Sequence, residues 1–169
     1  MNNTFHGKAW VFGDSINTDL MYPHICYTVP DKEKPKYTMW ANRPDWASKV
    51  KQGDILVAGK NFGMGSSRPA AANLKALGLS CVLAESVNGL FLRNSVNFGF
   101  LTISCPGITG VAHEGDVLEV DLGKGIVTNM GNGKELTFNP LPDFLMEIVE
   151  EGGIIQVLKN RGYLDDQPL

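Results

Sequence analysis

The sequence predicts an α/β domain built around a mixed β-sheet, and three observations carry this. Between residues 54 and 104 short apolar runs alternate with helical stretches. A glycine-rich segment joins the first of those runs to the helix that follows it. After Gly115 the pattern changes to short alternating runs around a hairpin-type turn. Strands separated by helices read as a parallel unit, and strands separated by tight turns as an antiparallel one.

The elements follow in order. Gly7 to Phe12 alternates as a strand does, and Gly13 to Pro23 is a loop rich in Asp, Asn, Ser and Thr. Tyr27 to Trp46 holds Pro30, Pro35 and Pro44 and the charged run Asp31-Lys32-Glu33-Lys34, and is expected to be a long irregular insertion. Asp54 to Ala58 is a short apolar strand. A helix is expected from Pro69, because proline is preorganised for the first helical position, with Arg68 just outside. Ala70, Ala71, Leu74 and Leu77 form its apolar stripe, and Gly78 ends it. Cys81 to Ala84 is a strand, Asn88 to Asn97 a helix and Phe100 to Ser104 a third strand of this unit. Val117 to Leu122, Ile126 to Asn129 and Leu136 to Phe138 are expected strands, the last two around Gly131-Asn132-Gly133-Lys134. Pro142 to Glu151 is a helix stopped by Gly152-Gly153.

The 169 residues suit one domain, and 43% hydrophobic content is enough for a sizeable core. A net charge of -3 without a dense Lys/Arg block argues against nucleic-acid binding. The apolar runs fall far short of a membrane span, and Met1 to Gly13 has no apolar leader, so a cytoplasmic protein is expected. Cys26, Cys81 and Cys105 are odd in number and far apart. That argues against a disulfide framework and against a metal or iron–sulfur site contained in this chain.

The segment Gly59-Lys60-Asn61-Phe62-Gly63-Met64-Gly65-Ser66-Ser67-Arg68 carries the chemistry. Glycines let backbone N–H groups converge on one point, and a following helix start favours negative charge there. Arg68 can hold a carboxylate in two parallel hydrogen bonds, Ser67 can add a contact, and Ser66 could act on a substrate proton. A serine is a poor base unless its alkoxide is stabilised in a closed, dry site. The spacing is neither GxxxxGK[ST] nor a clean GxGxxG, so pattern alone leaves three readings: a carboxylate or phosphate site, a nucleotide site, or a structural turn.

This segment resembles the small subunits of 3-isopropylmalate dehydratase, in the aconitase superfamily. Three further blocks share the resemblance: Phe12 to Asp19; Phe91-Leu92-Arg93-Asn94 with Gly99-Phe100-Leu101; and Pro140 to Leu145 with Glu151 to Ile154. The resemblance covers nearly the whole chain. It implies one swivelling β/β/α layered domain over residues 1–169, interrupted by the insertion at about 27–46. It implies a separate large subunit carrying a 4Fe-4S cluster, no cofactor on this chain, and a hydroxy di-acid substrate. The reaction implied is isomerisation of an alkylmalate by dehydration and rehydration, of the 3-isopropylmalate type used in leucine biosynthesis. Ser66 is then the catalytic base, Ser67 and Arg68 contact substrate carboxylates, and Asp19 lies at the matching loop.

Three positions depart from the family pattern. Met64 stands where cysteine is usual, Pro69-Ala70 where Glu-His is usual, and His24-Ile25-Cys26-Tyr27 where a Gly-Arg-Tyr-Leu-like loop selects the substrate side group. Citramalate, dimethylmalate and homoaconitate therefore stay open beside isopropylmalate. The alternative from another class is a non-catalytic anion- or nucleotide-binding module. His6 and His113 read as surface residues, and Arg93 and Asn94 as structural ones.

Overall fold

The computed structural model describes residues 4–65 and 68–164. Its strands form one seven-stranded sheet in the order β4-β3-β2-β1-β5-β6-β7. They are β1 (Thr4–Val11), β2 (Ile55–Ala58), β3 (Cys81–Ala84), β4 (Leu101–Ser104), β5 (Val117–Asp121), β6 (Ile126–Asn129) and β7 (Glu135–Thr137).

β1 divides its length between two neighbours. Thr4 to Lys8 pair antiparallel with β5, and Ala9 to Val11 pair parallel with β2. β2, β3 and β4 continue in parallel, and β5, β6 and β7 continue as antiparallel hairpins. The change at Gly115 in the sequence is this change of pairing. β1 starts at Thr4 rather than Gly7 because its early residues have β5 to pair with, a partner more than a hundred positions away.

The parallel strands step one way across the sheet, so crossovers of one hand fall on one face. That face packs Trp10, Leu56, Ala58, Val82 and Ala84 under α3 (Ala70–Ala76) and α4 (Gly89–Asn97), which contribute Ala70, Ala71, Leu74 and Phe91. The opposite face packs Ala9, Ile55, Val57, Cys81 and Leu83 with Leu118, Val120 and Val127 of the antiparallel half. A sheet whose two halves share a core in this way is curled, not flat.

The stretch between Tyr27 and Trp46 is anchored. It contains a 3-10 helix at Asp31–Tyr37, and Met39 is fully buried in the helix-side core. Trp46, which opens α2 (Trp46–Lys49), meets Trp10 and Phe12 edge-on at 6.4 and 5.0 Å. Arg43 closes the seam: its guanidinium lies over the Trp10 and Phe12 rings, donates to the Val11 carbonyl and pairs with Glu114. The C-terminal helix expected to start near Pro142 is α5 (Asp143–Glu150). A further helix, α6 (Ile154–Asn160), follows it directly. Among the described residues no helix is long and apolar enough to cross a membrane.

Candidate active site

Two loops leave the carboxyl ends of β1 and β2 and run side by side. In open α/β sheets that end is where ligands bind. Backbone bonds stitch the loops together: Gly59 N–H to Gly13 O, Ser15 N–H to Lys60 O, Gly63 N–H to Ile16 O and Thr18 N–H to Met64 O. The Asp14 carboxylate accepts from Lys60 N–H at 2.7 Å. Ser15 and Asn61 both adopt positive φ, so each loop makes a sharp turn at its start.

Glycines in this segment are there because the packing leaves no room for a side chain. A Cβ on Gly63 would lie 2.3 Å from the Phe91 side chain, and Gly63 has φ +79. A Cβ on Gly65, at φ +104, would lie 2.5 Å from Asn17 Oδ1. Phe62 is buried beneath the segment and meets Phe91 edge-on at 5.2 Å.

The first loop ends in α1 (Thr18–Met21), capped by Asn17, whose Oδ1 accepts from Asp19 N–H at 2.8 Å. Asp19 lies in the first turn of this helix with its side chain about half exposed, and its Oδ1 stands 2.9 Å from Arg68 Nε. Arg68 Nη1 donates to the Tyr22 carbonyl at 2.9 Å, and its guanidinium lies 5.8 Å from the Tyr27 ring. From α3, the buried Asn73 donates to the Met21 carbonyl at 3.2 Å. The turn and α1 are thereby tied from both sides.

The structure brings Asp19 and Arg68 together as an ion pair. Ser66 and Ser67 lie outside the described residues. α3 starts at Ala70, one residue later than expected. Pro69 has φ -74 and ψ 49, close to the centre of an inverse γ-turn, and Ala70 N–H bonds the Arg68 carbonyl at 2.7 Å. The Asn17 contacts were missed in the sequence; the N-cap spacing before Thr18-Asp19 was the available signal. Tyr22 was missed as well, because its contribution is a backbone carbonyl. His24 is exposed beside Tyr27, Arg93 is exposed on α4, and Asn94 is half-buried there.

The cysteines do not fit as cluster or metal ligands. Cys26 is buried in the helix-side core, and Cys81 and Cys105 in the opposite one. Burial pushes all three thiols up, Cys105 to about 11, so none is a ready nucleophile. Among the described residues no group of three or more His, Cys, Asp and Glu is placed to hold a metal ion.

The aconitase C-terminal domain family matches residues 11–107, the stretch that holds both loops, α1 and the turn. The chain belongs to that family. The 3-isopropylmalate dehydratase small subunit 1 of Methanopyrus kandleri is 43% identical over 96% of both chains. The isopropylmalate/citramalate isomerase small subunit of Methanocaldococcus jannaschii is 44% identical over 95% of this chain and 97% of its own. A crystal structure of 3-isopropylmalate dehydratase from Methanocaldococcus jannaschii superposes with a TM-score of 0.88 at 32% identity, covering 94% of this chain and 95% of that one. The mixed, curled sheet is therefore the family's fold, and the chain groups with enzyme subunits, not with stand-alone binding modules.

Proposed function

We propose that this chain is the small subunit of an aconitase-type hydro-lyase that moves a hydroxyl between neighbouring carbons of an alkylmalate, 3-isopropylmalate first among them. The single observation that carries the reading is the Asp19–Arg68 pair beside the glycine turn, within a chain that matches dehydratase small subunits over nearly its full length. Citramalate is the second substrate to consider, because one of those relatives is named for both acids.

In this reading residues 1–169 act as one swivelling unit that closes over a large subunit. The 4Fe-4S cluster belongs to that partner. This chain contributes the substrate's anchor and its base. Arg68 offers a substrate carboxylate the part of its fork that Asp19 and Tyr22 do not occupy, a charge-assisted contact with fixed geometry. Ser67 adds a hydrogen bond to the same end. Ser66 takes the proton from the carbon next to the one that bears the hydroxyl. The hydroxyl leaves as hydroxide and takes up a second proton to become water. On re-addition water gives that proton up, its hydroxyl bonds the neighbouring carbon, and Ser66 returns its proton to the carbon that lost the hydroxyl. A well-placed base is worth about 10²–10⁴ in rate. Ser66 reaches that range only where convergent N–H groups and exclusion of water stabilise its alkoxide. Closure of the two subunits would supply that exclusion. A cytoplasmic location belongs to this reading, because the relatives are named as subunits of a metabolic enzyme.

The test is reconstitution. The chain is co-purified with a large subunit from the same organism and assayed on 3-isopropylmalate, citramalate, dimethylmalate and homoaconitate. Turnover of one or more by the complex, and of none by either chain alone, is the expected result. A stable complex that turns over none of them would overturn the reading.

A further inference from the structure

One side chain touches both walls of the candidate site. The Asn17 Oδ1 accepts the Asp19 N–H at 2.8 Å, which sets the first turn of the helix that presents Asp19 to Arg68. The same oxygen stands where a Cβ on Gly65 would come within 2.5 Å of it, so the amide lies directly against the glycine that precedes Ser66. The Asn17 backbone forms a parallel bridge with Met64, flanked by the bonds Thr18 N–H to Met64 O (2.9 Å) and Gly63 N–H to Ile16 O (2.9 Å).

We infer that Asn17 is a positioning residue of the hydro-lyase site, fixing the glycine turn against the helix start that carries Asp19. The inference rests on the function proposed above. Neither wall is held in register by local structure alone. α1 is a single turn, too short to persist without its cap, and the turn is glycine-rich. The Asn17 side chain and its bridge to Met64 tie the two directly. Asn17 is half-buried and belongs to neither core, so its replacement is expected to leave the sheet and both cores intact. A displacement of about 1 Å between groups that must act together can cost roughly 10²-fold in rate. Such a loss falls on the transition state more than on substrate binding.

The test compares Asn17→Ala, Asn17→Leu and Asn17→Asp in the full chain, alone and assembled with its large subunit. Aspartate keeps an acceptor for the Asp19 N–H; alanine and leucine remove it. Hydrogen exchange on the full chain is expected to quicken at least tenfold at Asp19, Thr18 and Gly63 in the alanine and leucine variants. Exchange at Val57 and Leu83 in the sheet stays unchanged. In the assembled enzyme kcat is expected to fall at least tenfold with KM within about threefold, and Asn17→Asp recovers most of both effects. Unchanged exchange at Thr18 and Gly63, or wild-type kcat in Asn17→Ala, overturns the inference. So does a loss of kcat that Asn17→Asp does not recover. If the wild-type complex is inactive while exchange responds as expected, the proposed function falls, and the catalytic part of this inference falls with it.

Discussion

Arg68 Nε and Asp19 Oδ1 stand 2.9 Å apart, and Arg68 Nη1 reaches past Asp19 to the Tyr22 carbonyl at the same distance. One guanidinium therefore reads both a side chain in the first turn of α1 and the backbone that follows the helix. Surface pairs of this kind contribute about 0–1 kcal/mol, and Asp19 is about half exposed, so the contact says more about position than about stability.

Arg68→Lys tests that distinction. An ammonium cannot make both contacts in the fork geometry, and it offers a carboxylate one point in place of two. In the assembled enzyme kcat/KM is expected to fall by about 10²-fold or more, while the urea midpoint of the chain moves little. A large fall in the midpoint with kcat/KM preserved would make Arg68 a structural residue.

The glycine turn depends on close packing. Gly63→Ala would push a methyl group into Phe91 at a backbone conformation that alanine resists. Overpacking together with positive φ is expected to cost roughly 2–4 kcal/mol. Urea denaturation at neutral pH measures it. Gly89→Ala is the control, because a Cβ there meets nothing within 4 Å and is expected to change the midpoint little.

How stability depends on pH should report on the Arg43 seam. Partial burial works against the Glu114 carboxylate, but hydrogen bonds from the Arg43 guanidinium and the Val11 N–H outweigh it and hold Glu114 below the usual range. A carboxyl whose pKa is lowered on folding stabilises the protein above its unfolded pKa, roughly 4.3. That contribution is lost as pH falls through the lower folded value. The Tm difference between wild type and Glu114→Gln is therefore expected to be full at pH 6–7 and to shrink steadily below about pH 4. A difference that stays constant to pH 3 would remove the charge from the account.

Much of this fold was legible because its pieces are local. β2, β3, β4, α3 and α4 were read from apolar runs and an end signal such as Gly78, since burial on both faces leaves continuous apolar strands. Chain spacing does not encode partners, so the split pairing of β1 between β2 and β5 was out of reach. The insertion looked loose because its prolines and charges break periodicity, yet single residues such as Met39 and Trp46 anchor it in the core. α6 was missed because Gly152-Gly153 reads as a stop. The two glycines in fact make a turn into the next helix, with Gly153 against the Asn97 carbonyl. At the site, Arg68 was singled out by its chemistry and Asp19 by resemblance, but their contact with each other and with Asn17 exists only once the two loops lie side by side.

The central claim is that the glycine turn supplies the base for half of a shared active site. Steady-state kinetics of Ser66→Ala, assembled with its large subunit, tests it most directly. The account predicts a kcat lower by about 10²–10⁴ with KM little changed and complex formation intact. Full turnover by that variant would contradict it.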